Sequence, residues 1–187
     1  AIEAPYRWRD WGATKEGMVY MVVADGAGGS ENPLYATQTV LDQGSRLSQK
    51  GTDLDQSVRD FFVHADGAIE TKKARQEIIG QAMAVCMVAD IEQRTCAVGS
   101  VGDSQVLLFV ENSEKKIAIA HATALDNQSF VLNQGSQATR EHHPQWGKFA
   151  AYRNGPIVNP TARLGSSKKE GRRALEPHTF QYRAEPG

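Results

Sequence analysis

The residues of this sequence that could carry out chemistry are two aspartates, each beside glycine and between apolar runs. Asp25 lies in the segment VVADGAGGS (22–30), and Asp103 lies in VGSVGDSQVLLF (98–109). Hard cations such as Mg²⁺ and Mn²⁺ prefer carboxylate and backbone carbonyl oxygens, and glycine lets a backbone turn toward an ion without a clashing Cβ. Taken alone, however, the first segment is more typical of a strand end followed by an ordinary Asp-Gly turn.

Three other glycine-rich motifs do not match the first segment. A dinucleotide-binding fingerprint, G-x-G-x-x-G, would need glycine where Glu31 stands when it is counted from Gly26. A P-loop needs Gly-Lys-Ser or Gly-Lys-Thr, and an EF-hand loop needs alternating acids; both are absent. No nucleophile elbow for acyl transfer is found. The pair His142–His143 is interpreted as a surface or turn feature, because neighbouring side chains point apart.

The composition is that of a globular protein with one domain. The chain has 187 residues, of which 40% are hydrophobic and 23% charged, and its formal net charge is −1. It therefore has no basic field for nucleic acid or an anionic membrane, and no apolar run approaches the ~20 residues of a membrane helix. No signal peptide is visible, and Cys86 and Cys96 form no disulfide framework. These features predict a reduced, cytoplasmic protein.

Two helices are predicted after a buried strand at 18–24. Asn32 and Pro33 are typical of an N-cap with proline at the first helical position, and this helix is expected to reach about Gly51. Asp53 can cap a second helix. The apolar residues of that helix recur every three or four positions and are Leu54, Val58, Phe61, Phe62, Ala65 and Ile69.

After Gly80 the pattern changes from helix to strand. Four strand-like segments with short polar links between them occupy 83–90, 95–103, 105–111 and 116–122. Their spacing predicts an antiparallel meander. From 129 to 187 the pattern weakens, and the basic residues at 168–173 are interpreted as a solvated loop. Helices grouped together and then strands grouped together predict an α+β fold.

Read together, the two aspartate segments resemble a known family. VADGAGG (23–29) and VGDSQ (101–105) are similar to V-A-D-G-x-G-G and V-G-D-S-R of the metal-dependent serine/threonine protein phosphatases of the 2C type. Weaker matches follow in the family's order and span most of the chain. They are Gly80 before a strand, TALDN at 123–127, His143-Pro144, and PTARLG at 160–165.

The resemblance implies a fold, a reaction and a set of metal ligands. The fold would be one domain over residues 1–187, a sandwich of two antiparallel β-sheets flanked by helices. The reaction would be hydrolysis of phosphoserine and phosphothreonine in a phosphorylated protein by a hydroxide that bridges two Mn²⁺ or Mg²⁺ ions. Asp25 would be the catalytic ligand that bridges both ions, and the Gly26 carbonyl would bind the second. Asp103 would bind a third, weaker ion.

The chain departs from the family at its first motif, R-x-x-N-x-D. Asp10 lies upstream of Asp25 at about the expected distance and would be a metal ligand, but Pro5 and Trp8 occupy the arginine and asparagine positions. Arg7 either replaces the arginine that binds the substrate phosphate, or the motif is absent and Asp10 is an exposed residue of a terminal segment.

A second departure is at the end of the chain. In the family, an S-D-G strand and a D-N pair supply further carboxylates, and Gly187 comes before them, so the resemblance implies an incomplete domain. Two functions follow. The first is a metal-dependent protein phosphatase, and the alternative is an inactive relative, a pseudophosphatase, that acts as a binding or regulatory module.

Overall fold

The computed structural model of the chain describes residues 7–14, 16–27, 32–48, 53–75, 80–102, 104–111, 115–123, 141–143, 147–151, 164 and 177–184. Within them the strands are β1 (Arg9–Ala13), β2 (Met18–Ala27), β3 (Gln81–Asp90), β4 (Thr95–Val101), β5 (Leu107–Glu111), β6 (Ile117–Ala122), β7 (Glu141–His143), β8 (Gly147–Ala151) and β9 (His178–Arg183). The helices are α1 (Pro33–Leu41) and α2 (Leu54–Ala74), with a short 3₁₀ helix at Gly44–Ser48 between them.

The main sheet has five antiparallel strands in the order β1-β2-β3-β4-β9. β5 pairs with β6, and β7 pairs with β8, in two further two-stranded antiparallel sheets. The α+β class with antiparallel sheets and flanking helices is therefore confirmed. Neither α1 nor α2 combines the length and the apolarity that a helix needs to cross a membrane.

The predicted meander is divided between two sheets, which the sequence did not indicate. β3 and β4 are paired, but among the described strands β5 pairs with β6 and not with β4. The break follows Gly102, which has a φ of 95°. This left-handed backbone is strained for other residues and turns the chain out of the sheet. β4 takes β9 as its second neighbour instead.

The first predicted helix is shorter than expected, and the second is confirmed. α1 ends at Leu41, and the chain continues as the 3₁₀ helix, which buries Leu47. Gly44 lies so close to β1 and β2 that a Cβ there would be 2.7 Å from an Asp10 carboxylate oxygen, so this turn is shaped by packing. α2 begins at the predicted cap, because the Asp53 side chain accepts a hydrogen bond from the backbone N–H of Gln56 at 3.1 Å.

The core lies between the helices and one face of the main sheet, which we call the helix face. Side chains alternate between the two faces of a strand, and the buried residues of β2 and β3, apart from Gln81 and Met83, fall on one of them. The helix-face residues are Val22, Ala24, Ala84, Cys86 and Val88, and they form one cluster with Val58, Phe61, Phe62, Ala65 and Ile69 of α2. We call the opposite face the second face. On it, His121 of β6 stacks on Phe180 of β9, with ring centroids 5.1 Å apart.

Candidate active site

Strand pairing brings distant parts of the sequence to one edge of the main sheet. Gly26 near the end of β2 is opposite Ala82 near the start of β3. Ala82 also pairs with Leu164, because each accepts a hydrogen bond from the other's N–H, at 3.1 and 2.9 Å. β4 runs to the same edge and ends at Val101. The described parts of the segments that carry the family motifs, 22–27, 98–102 and Leu164, therefore reach one edge of the sheet.

Asp25 lies at this edge with its side chain exposed. It is one residue beyond Ala24, which is buried on the helix face, so strand alternation directs Asp25 to the second face. Its cross-strand neighbour is Met83. No described residue donates a hydrogen bond to the Asp25 carboxylate, which leaves its oxygens available to a ligand.

Gly26 is required by the close approach of α1. A Cβ on Gly26 would lie 2.6 Å from the carbonyl carbon and 2.6 Å from the Cβ of Pro33, the first residue of the helix. Asn32 fixes the start of α1, since its side chain accepts a hydrogen bond from the N–H of Tyr35 at 3.2 Å. The Asn32 carbonyl accepts a further bond from the N–H of Gly80 at 3.0 Å, which ties this helix end to β3.

The Gly26 carbonyl is directed away from β3. In an antiparallel sheet a residue's N–H and C=O point to the same side, and the sides alternate along the strand. Ala82 uses both groups on Leu164, so its pair with Gly26 lacks hydrogen bonds. The N–H of Ala24, two residues before Gly26, donates to the Trp8 carbonyl at 3.0 Å, which confirms that this set of groups points to the β1 side.

Gly102 follows β4 at the same edge, on the opposite side of β3 from Gly26. Its φ of 95° requires glycine, and the Met83 side chain lies over its backbone. A Cβ on Gly102 would be 2.9 Å from the Met83 Cβ and 3.3 Å from the sulfur. Asp103, the predicted ligand that follows, lies outside the described residues.

Gln105 and Thr123, from two of the family motifs, tie the start of β5 to the end of β6. The Gln105 side chain donates a hydrogen bond to the Thr123 carbonyl at 2.6 Å. The buried Thr123 hydroxyl accepts one from the N–H of Val106 at 2.9 Å. Gln105 occupies the position of the family's arginine, and its amide has a structural role here.

Asp10 lies away from this edge, on the helix face. It pairs with Val22 rather than with Asp25, which is three residues further along β2, or roughly 10 Å at ~3.3 Å per residue. The Asp10 carboxylate accepts a hydrogen bond from the Tyr20 hydroxyl at 3.2 Å. Burial, followed by the charge of Asp10 and this hydrogen bond, raises the pKa of Tyr20 above its ordinary value of 10.0.

Arg7 binds the side chains of α1. Its guanidinium donates to Gln38 at 3.1 Å and to Asp42 at 2.8 Å, and the Gln38 amide donates back to the Arg7 carbonyl at 2.7 Å. Arg7 also lies 4.0 Å from the Asp10 carboxylate. The structure thus brings Asp10 and Arg7 together with α1, and brings Asp25 and Gly26 together at the edge of the sheet. The assignments of Asp10 to metal and of Arg7 to phosphate stay predictions.

The donor chemistry at the edge fits a hard divalent cation in part. Asp25 provides an exposed carboxylate, and Gly26 provides a carbonyl directed to the β1 side. Among the described residues, no group of three or more histidines, cysteines, aspartates or glutamates is arranged to hold a metal ion. Asp25 and Gly26 are therefore the described residues that would hold such an ion, and further ligands would have to come from elsewhere in the protein.

Sequence reasoning missed three residues that shape this edge. Nothing in the local sequence indicates that Ala82 and Leu164 pair. Met83 was read as an ordinary residue of a buried strand. The signal that could have drawn attention to it is Gly102, because a glycine before a predicted ligand indicates a close neighbour or a left-handed turn.

Comparisons with known proteins give a consistent result. A family model described as protein phosphatase 2C matches residues 11–145. A serine/threonine phosphatase from Staphylococcus aureus has 16% identity and a TM-score of 0.62, with 96% of this chain and 68% of that chain covered. A serine/threonine phosphatase from S. agalactiae has 16% identity and a TM-score of 0.59, with 100% and 72% covered.

A sex-determining protein from C. elegans has 20% identity and a TM-score of 0.59, with 95% of this chain and 45% of that chain covered. The chain thus spans less than half of that protein. At such identities the likeness to solved structures shows the fold alone. No match was found among curated protein sequences.

Proposed function

This chain belongs to the protein phosphatase 2C family, and we propose that it hydrolyses phosphoserine and phosphothreonine in protein substrates with Mn²⁺ or Mg²⁺ as its cofactor. The observation that carries the proposal is the exposed Asp25 beside Gly26, at the edge that the described parts of three motif segments reach. A divalent cation bound there lowers the pKa of a water molecule and offsets the charge of a phosphoryl group.

The chain's own residues have distinct parts in this proposal. Asp25 supplies the anionic ligand from β2, where it is held in register with Met83 of β3. Gly26 supplies a neutral carbonyl oxygen and lets α1 approach. Asp103 is proposed as the ligand of a third ion. Asp10 and Arg7 join the site only if they give up their partners on the helix face.

The proposed partner is a phosphorylated protein, with neither nucleic acid nor a membrane. The net charge of −1 supports this, because it offers no basic field to an anionic polymer or surface. Both cysteines are free, in keeping with the proposed cytoplasmic setting.

A second candidate is a family member that binds a partner without catalysis. The observation in its favour is the hydrogen bond between Tyr20 and Asp10, since it uses a predicted metal ligand inside the fold. This candidate predicts binding of phosphoproteins with no turnover in the presence of metal.

The two functions are distinguished by one experiment on the purified protein. Release of phosphate from p-nitrophenyl phosphate and from a phosphothreonine peptide is measured with and without Mn²⁺. Turnover that depends on Mn²⁺ and is lost in Asp25→Asn would support the phosphatase. The reason is that the neutral amide of asparagine cannot offset the positive charge of bound Mn²⁺ as a carboxylate does. Asp60→Asn, a change on α2, is the matched control and should keep full turnover. Near-normal turnover by Asp25→Asn would show that turnover does not depend on the Asp25 carboxylate.

A further inference from the structure

Met83 lies between the two ends of the candidate site. It pairs with Asp25 across β2 and β3, and its side chain packs over Gly102 at the end of β4. Met83 is 7% exposed, whereas Asp25 beside it is exposed. A nearly buried thioether therefore separates the Asp25 carboxylate from the turn that precedes Asp103 in the sequence.

Side-chain packing, rather than strand pairing, holds Gly102 against β3. The ladder between β3 and β4 ends at the pair Ala84–Val101. Beyond it, Ala82 exchanges its hydrogen bonds with Leu164. Since Gly102 has no side chain of its own, the Met83 side chain covers the backbone of this turn.

We infer that Met83 is a positioning residue of the proposed metal centre, where its side chain supports the turn at Gly102 next to Asp25. The inference rests on the proposed function. Methionine suits this position because its unbranched, polarizable side chain adapts to an irregular space.

The test compares three variants of the purified protein by Mn²⁺ titration in a calorimeter and by phosphatase assay. Met83→Ala should weaken Mn²⁺ binding by about tenfold or more, the usual effect of removing a group that supports a metal ligand. Met83→Leu keeps the volume and should stay within about threefold of the wild type. Val88→Ala, a truncation on the helix face of β3, should lower the melting temperature without changing Mn²⁺ affinity.

The dependence of the rate on Mn²⁺ concentration distinguishes a positioning role of Met83 from a general loss of folded protein. Met83→Ala should need more Mn²⁺ for half-maximal rate and regain most of its kcat at saturating Mn²⁺. If the wild type binds Mn²⁺ and turns over substrate but Met83→Ala has unchanged Mn²⁺ affinity, the inference is overturned and the proposed function stands. A wild type without Mn²⁺ binding or turnover contradicts both. If Met83→Ala does not fold, Met83→Val replaces it, and unchanged Mn²⁺ affinity of that variant likewise overturns the inference.

Discussion

Asp10 and Asp25 lie on opposite faces of the five-stranded sheet. Asp10 is in register with Val22 on the face that packs against the helices, and Asp25 follows Ala24 onto the other face. An ion bound by Asp25 is therefore separated from Asp10 by the sheet itself. By resemblance to the family, both aspartates are predicted to bind metal, but the structure gives them different partners.

The first prediction is that Asp10 stabilises the fold. Tyr20→Phe removes the donor of a hydrogen bond at 3.2 Å to the Asp10 carboxylate. It should lower the free energy of unfolding by about 1 kcal/mol, the usual net value of one such bond, measured by urea denaturation. Asp10→Asn should be destabilising by a similar amount and leave Mn²⁺ affinity unchanged. Lost Mn²⁺ affinity at full stability would instead assign Asp10 to the metal.

The second prediction concerns Arg7. Arg7→Gln breaks the contacts with Gln38 and Asp42, so β1 should be held less firmly to α1 and hydrogen exchange of the α1 amides should become faster. The KM for a phosphopeptide should not change. Arg46→Gln is the control, because Arg46 bonds only locally, to Gln43 at 2.8 Å. A several-fold rise in KM for Arg7→Gln would assign Arg7 to the substrate phosphate.

The third prediction contrasts two glycines. Gly26→Ala introduces a Cβ against Pro33 and should destabilise the protein by about 1–3 kcal/mol, as overpacking does. Gly67→Ala in α2 introduces a Cβ with nothing within 4 Å and should stabilise it by about 0.5–1 kcal/mol through helix propensity. Urea denaturation should show a lower free energy of unfolding for Gly26→Ala and a higher one for Gly67→Ala. Equal effects would mean that α1 does not pack on Gly26 as described.

The fourth prediction is a loss of stability at alkaline pH. Burial raises the pKa of the Cys86 thiol far above its ordinary value of 9.0, and burial with Asp10 raises the pKa of Tyr20 above 10.0. Above these ordinary values the unfolded chain loses protons that the folded protein keeps, so the free energy of unfolding falls as pH rises. It should be level near pH 7–8 and decline above about pH 9.

Cys86→Ala and Tyr20→Phe provide the check on this pH dependence. Each removes one of the two groups, so each should flatten the decline between pH 9 and 11 in denaturation measured at constant ionic strength. Cys96→Ala should flatten it less, because burial raises the pKa of this half-buried thiol to a smaller extent than that of Cys86. A decline that is identical in all variants would attribute alkaline unfolding to other groups.

The family, the helix α2 and the strands β2 and β3 could be predicted from the sequence alone. α2 begins at its predicted cap, Asp53, and buries the predicted apolar positions from Val58 to Ile69, because a helix repeats every 3.6 residues and needs few distant contacts to be recognised. β2 and β3 were predicted because each contains a short apolar run. The motifs around Asp25 and Asp103 were sufficient to identify the family, although they did not assign each side chain its partner.

Which strands are neighbours, and which face each aspartate occupies, could not be predicted without the folded sheet. β4 pairs with β9, so that Thr95 is opposite Arg183, and Ala82 pairs with Leu164. Local periodicity carries no information about such distant pairs. A shift of one residue in register moves a side chain to the other face of a sheet. The pairing of Asp10 with Val22 is therefore a property of the folded sheet, and it directs the Asp10 carboxylate to Tyr20 rather than to the edge where Asp25 lies.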